Sequence, residues 1–184
     1  MQNQSIIIAL SYCRGKFISL FYHFETAMPK IELDTAVNAP VERVFDLARC
    51  IDLHQDSMSK YREKAVAGVT SGLIGLHEMV TWEAVHFGIR QRLTSVITKF
   101  DRPHHFQDIM IKGAFKKLTH DHFFVKNNEK TEMKDVFEYT APLGFLGEMA
   151  DRVFLERYMT NLLKERNELI KRVAEGADWQ KFVS

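Results

Sequence analysis

Five ionisable side chains, His86, Asp108, His120, His122 and Asp135, fall on the apolar-enriched faces of segments that otherwise alternate like strands. A histidine poised near neutral pH by a carboxylate can take up and return a proton, which makes His122 with Asp135 the pair to consider for an aldol-type cyclisation or a dehydration. The same groups can instead orient the polar end of an otherwise apolar ligand. Two histidines two residues apart plus a carboxylate can also hold zinc or iron. No sharper ligand spacing accompanies His120, His122 and Asp135, so no metal and no other cofactor is expected. The plainest alternative is structural, since buried imidazoles and carboxylates must satisfy one another whether or not they have a task. No activated nucleophile stands out.

The strands that carry these groups read clearly. From Thr131 to Thr140, Met133, Asp135, Phe137 and Tyr139 point one way and mostly polar residues the other, the pattern of a strand half against an interior. Asp135 is the exception on that face, because a buried carboxylate is expensive unless paired. It either lines a cavity with polar partners or serves as a structural hydrogen-bonder. Lys117 to Lys126 turns Leu118, His120, His122 and Phe124 to the same side, and Phe106 to Ile111 turns Phe106, Asp108 and Met110. His77 to Phe87 presents Val80, Trp82, Ala84 and His86, and Ile89 to Phe100 presents Leu93, Ser95 and Ile97, with Arg90 and Arg92 outside. Arg62 to Val69 adds another strand, and Asn127 to Lys130 makes a hairpin loop. Segments joined this closely without helices between them indicate an antiparallel meander.

Helices flank the meander. Lys30 to Asn38 alternates as a first strand, Pro40 then starts a helix, and Val41, Val44, Phe45 and Ala48 form its buried stripe. Ile51 to Lys60 reads as a loop or a short second helix. After the corner Ala141-Pro142-Leu143-Gly144, a long helix is expected from Phe145 to about Glu175, roughly 45 Å at 1.5 Å per residue. Its stripe runs from Leu146, Met149 and Phe154 to Leu162, Leu169 and Val173. Glu165, Arg166 and Glu168 are placed on the solvent side, and Gly176 is the stop. Gly144 and Gly147 suit tight corners.

Composition narrows the classes. The chain has 184 residues, enough for one substantial core. Its 25 basic and 24 acidic residues give no footprint for nucleic acid. Cys13 and Cys50 make no disulfide framework, which points to a reducing, cytoplasmic compartment. Residues 1–27 read as an extension outside the fold, upstream of a domain at 28–176 and a tail at 177–184. Arg14 and Lys16 interrupt the apolar residues there, so no stable membrane insertion is expected.

A strand, a short helical pair, six meandering strands and a long C-terminal helix resemble the α+β helix-grip (START-like) fold of the SRPBCC superfamily, which includes polyketide cyclase/dehydrase and lipid-transport-like proteins. The phrases that carry the resemblance are Asn38-Ala39-Pro40-Val41-Glu42-Arg43-Val44-Phe45, Thr81-Trp82-Glu83-Ala84-Val85-His86-Phe87-Gly88, Phe100-Asp101-Arg102-Pro103 and Ala141-Pro142-Leu143-Gly144. The resemblance covers about residues 29–175. It implies a curved sheet around the long helix, with a cavity between them for a hydrophobic or amphipathic small molecule. Trp82, Phe124, Phe137, Tyr139 and Met149 would then form apolar wall, while His86, His122 and Asp135 would orient the ligand's polar end. Ala84, Phe106, Asp108, Met110 and His120 share that wall. A cyclase or dehydratase, and a scaffold acting through the outer sheet, are the alternatives, because fold alone fixes no reaction.

Overall fold

The computed structural model describes residues 29–140 and 154–183. The readings of residues 1–27, of the corner at 141–144, of Gly147, of Met149 and of the terminal helix's first turns fall outside the described residues. Seven strands, β1 (Lys30–Val37), β2 (Lys64–Gly68), β3 (Met79–His86), β4 (Ile89–Asp101), β5 (His105–Lys112), β6 (Lys117–Asn127) and β7 (Lys130–Thr140), form one antiparallel sheet. Its order is β1-β7-β6-β5-β4-β3-β2, a meander closed by the return of β1 beside β7. The ladder between β4 and β5 slips at Thr94/Ser95 and again at Ile97/Lys99. Such slips bend a strand and sharpen its twist, and the sheet is curved accordingly.

Two short helices, α1 (Val41–Ala48) and α2 (Ile51–Ser57), follow β1, and the long helix α3 (Glu156–Glu175) follows the meander. Pro40 takes the cap position rather than the first helical one, and its carbonyl accepts a hydrogen bond from Val44 N–H at 3.1 Å. The pyrrolidine ring needs no donor there and its φ of −58° suits the approach. The described part of α3 spans 20 residues, about 30 Å at 1.5 Å per residue.

Phe45 of α1 sits at the centre of the core, edge-on to Phe100, Phe106 and Phe124 with ring centroids 5.2–5.4 Å apart. Burying one such ring is worth roughly 1.5–3 kcal/mol, and edge-to-face pairs add to that. Helix α3 lies on β1, α1 and α2. Polar clamps hold its C-terminal end: Glu175 Oε1 accepts from Asn38 N–H at 2.8 Å, and Arg43 donates to the Ala174 carbonyl at 2.9 Å. Residues 177–183 fold back in a short 3-10 turn. Trp179, Phe182 and Val183 pack on the main core, with the Arg43 guanidinium 4.3 Å from the Trp179 ring centre.

Candidate functional site

The strand alternation becomes a site through register. Asp135 pairs directly with His122 across the β6–β7 ladder, His120 with Phe137, and on the other side Asp108 pairs with His120. Side chains two residues apart share a face, and directly opposed ones come within reach. Three neighbouring strands therefore bring Asp108, His120, His122 and Asp135 together beneath α3.

A cavity of about 600 Å³ lies between the sheet and α3. Trp82, Ala84 and His86 of β3, Leu93, Ser95 and Ile97 of β4, and Phe106 and Asp108 of β5 contribute to its wall. So do His120, His122 and Phe137, while α3 adds Tyr158, Met159, Leu162, Leu163 and Arg166. Four expected wall residues are placed otherwise. Phe124, Asp135 and Tyr139 are fully or almost fully buried and stand behind the wall. Met110 is half-buried and packs with the smaller core cluster around Leu118 and Tyr139. Met149 is outside the described residues.

Asp135 has no exposed surface and organises what lies in front of it. Its Oδ1 is 2.9 Å from His120 Nε2 and also 2.9 Å from His122 Nδ1, although the latter approach is off the hydrogen-bonding direction. Its Oδ2 accepts from Asn167 Nδ2 at 2.6 Å. Burial by itself would raise the Asp135 pKa, but the contacts from His120 and His122 hold it well below the ordinary carboxylate range. Asp108 is likewise held low against the opposing effect of burial, through His122, His120 and Arg166. Burial, helped by neighbouring His122, lowers the pKa of His120, so its neutral form is favoured.

Arg166 and Asn167 are the residues the sequence reading missed. Both are buried on α3, whereas Arg166 was expected on the solvent side. They recur in phase with Leu162, Leu163, Ile170 and Ala174, which are buried too, and that spacing was the available signal. Arg166 Nη2 donates to the Ala48 carbonyl at 2.6 Å, while Nη1 lies 3.7 Å from Asp135 Oδ1 without a hydrogen bond. Asp108 Oδ2 is also buried without a hydrogen-bond partner, 3.8 Å from His122 Nε2. Asp108, His120 and His122 each bring one potential metal-ligand atom to within 4.8 Å of the others.

The rim is aromatic. His86 Nδ1 and the Tyr158 hydroxyl are 2.8 Å apart, and Phe87 lies against Tyr158 and Phe154. Burial pushes the Tyr158 hydroxyl up to about 12 and lowers the His86 pKa, so both are neutral at physiological pH. Among the described residues no helix is long and apolar enough to cross a membrane.

No family model matches the chain, and no curated protein matches it. Solved structures do. TTHA0849 from Thermus thermophilus is similar at a TM-score of 0.62 and 18% identity, over 79% of this chain and 99% of that one. A START superfamily protein from Mycobacterium smegmatis gives 0.56 and 10%, over 79% and 97%. The di-domain ARO/CYC StfQ of the steffimycin biosynthetic pathway gives 0.60 and 15%, over 79% of this chain and 50% of that one. Identities this low carry architecture and nothing chemical, and that architecture, a curved seven-stranded antiparallel sheet with short helices after β1 and a long terminal helix, is the START-like helix-grip fold.

Proposed function

We propose that the protein binds a small hydrophobic or amphipathic molecule between the sheet and α3, for carriage or sequestration. The cavity carries this reading: about 600 Å³, walled mostly by hydrocarbon and rings, with Arg166, His120, His122 and Asp108 gathered within it. Small-molecule pockets run roughly 300–1,000 Å³ and combine apolar walls with a few convergent polar groups. Trp82, Phe137, Leu162 and Met159 would take the hydrocarbon part, and His122, Arg166 and His86 the polar part. Phe124, Tyr139 and Asp135 would act from behind by fixing the positions of those that touch the ligand. The cytoplasmic setting expected from cysteine usage belongs to the same proposal.

Native mass spectrometry of purified protein, before and after organic extraction, is the direct test. A discrete added mass that extraction removes is the expected result. Protein that carries no such mass, and that takes up no amphipathic dye after extraction, would sink the reading.

A second reading has one observation in its favour. His122 stands between two carboxylates, 2.9 Å from Asp135 and 3.8 Å from Asp108, at the wall of the cavity. An imidazole so placed can move a proton during a cyclase- or dehydratase-type reaction. In that case His122→Ala would abolish turnover while ligand binding survives.

A further inference from the structure

Behind two of the cavity's imidazoles stands a single carboxylate. Asp135 Oδ1 is 2.9 Å from Nε2 of His120 and 2.9 Å from Nδ1 of His122, and Asn167 fixes its other oxygen at 2.6 Å. A carboxylate against one ring nitrogen holds the proton on that side and leaves the lone pair on the other. That holds for His120; in His122, whose Nδ1 lies beside Asp135 without a hydrogen bond, Nε2 faces Asp108 Oδ2, a buried oxygen with no hydrogen-bond donor. This is the arrangement by which outer carboxylates orient metal-binding histidines.

Two carboxylates, Asp108 and Asp135, share one guanidinium here, that of Arg166, whose Nη1 lies 3.7 Å from Asp135 Oδ1 without a hydrogen bond.

We propose that Asp108, His120 and His122 bind a divalent transition cation of the zinc class at the cavity wall, with Asp135 as a positioning residue behind the two histidines. Their donor atoms already lie within 4.8 Å of one another. Zinc bonds of about 2.0–2.2 Å in a tetrahedron require donor atoms roughly 3.3–3.5 Å apart, so closure by at most about 1.5 Å suffices. Three protein ligands leave one coordination position, and it opens on the cavity, where an oxygen of a bound molecule or a water completes the set. The sequence alone paired His120 and His122 with Asp135. The fold instead places Asp135 behind the rings and supplies Asp108 in front. This inference stands apart from the small-molecule reading, since the cation needs no organic ligand.

The test uses full-length protein dialysed against chelator and titrated with Zn²⁺ by calorimetry and with Co²⁺ by visible absorption. One equivalent should bind, with the intense d–d bands of tetrahedral Co²⁺. Asp108→Asn, nearly isosteric and on the cavity wall, should remove the binding while leaving circular dichroism unchanged. Asp135→Asn should retain the Co²⁺ spectrum but weaken affinity about 10- to 100-fold. Binding undiminished by Asp108→Asn would assign the metal to surface histidines and overturn the proposal. So would failure of the wild-type protein to bind either cation. Histidine nitrogen shifts showing a charged His122 in such metal-indifferent protein would identify the cluster as a buried ion pair.

Discussion

Arg166 Nη1 lies 3.7 Å from Asp135 Oδ1 across the contact between α3 and β7, while its Nη2 donates to the Ala48 carbonyl at the end of α1 at 2.6 Å. One side chain thus spans three elements and faces the cavity as well. Buried charge is tolerated at this junction because each member has a partner, and removing any one strands the others.

Asp135→Ala should therefore be severely destabilising. It leaves Asn167 and His120 without that acceptor and the Arg166 guanidinium without its nearby carboxylate in a dry site, a loss of about 3–5 kcal/mol. Urea denaturation of both proteins gives the difference directly. A loss under about 1 kcal/mol would mean that the cluster does not anchor α3 to the sheet.

Acid should weaken the metal-free protein in two stages of the same sign. Burial, then His122, lowers the pKa of His120, which faces Asp135, His122, Asp108 and, beyond them, Arg166. Burial also lowers that of His86, beside Tyr158, Tyr61 and Glu63. The unfolded chain then takes up protons near pH 6.5 before the folded chain does, so stability falls below about that pH. Asp108 and Asp135, although burial opposes it, are held low by the histidines, so their stabilisation is present above about pH 4 and is lost as pH drops further. Urea midpoints at about pH 7.5, 5.5 and 4 should descend in that order. A higher midpoint at the middle value than at the first would contradict the assignment.

Filling the cavity should separate ligand retention from folding. Ala84 is buried on β3 and faces the hollow, so Ala84→Trp places an indole in space otherwise available to the ligand. The added mass seen by native mass spectrometry should disappear while the melting temperature moves by only a few degrees, about 1–3 kcal/mol of strain at most. Retention of the mass at wild-type occupancy would place the ligand elsewhere.

Gly68 is required where β2 turns toward β3. It has φ of +76°, and a Cβ there would stand 2.1 Å from the Met79 carbonyl oxygen, which also accepts from Val69 N–H at 2.8 Å. Gly68→Ala should lower stability by more than about 1 kcal/mol, measured by thermal melting, because left-handed backbone and steric overlap act together. An unchanged melting temperature would show that this edge of the sheet yields freely.

The sheet was legible because alternation is a direct consequence of pleating, and His120, His122 and Asp135 were placed on one face by counting alone. Depth was not legible. Phe124 and Tyr139 share the face of Phe137 but lie behind the cavity wall, since a period of two says which side a residue takes and not how far from the hollow it stands. Arg166 and Asn167 escaped for a different reason. Charged and amide side chains on a helix are usually solvated, and only their phase with Leu162, Leu163 and Ile170 betrays them. Asp108 was placed on the interior face, but its facing of His122 depends on β5–β6 register, which no segment encodes by itself.

The β3–β4 hairpin turns on Phe87 and Gly88 alone, both left-handed, with φ of 54° and 76°. An aromatic residue bears that backbone conformation at a steric cost that asparagine largely escapes. Its ring lies against Tyr158 and Phe154 at the rim of the hollow, so the doorway is held by a residue poorly suited to its own turn. Phe87→Asn would ease the turn and widen the opening at once, making the threshold leakier in a molecule no less robust.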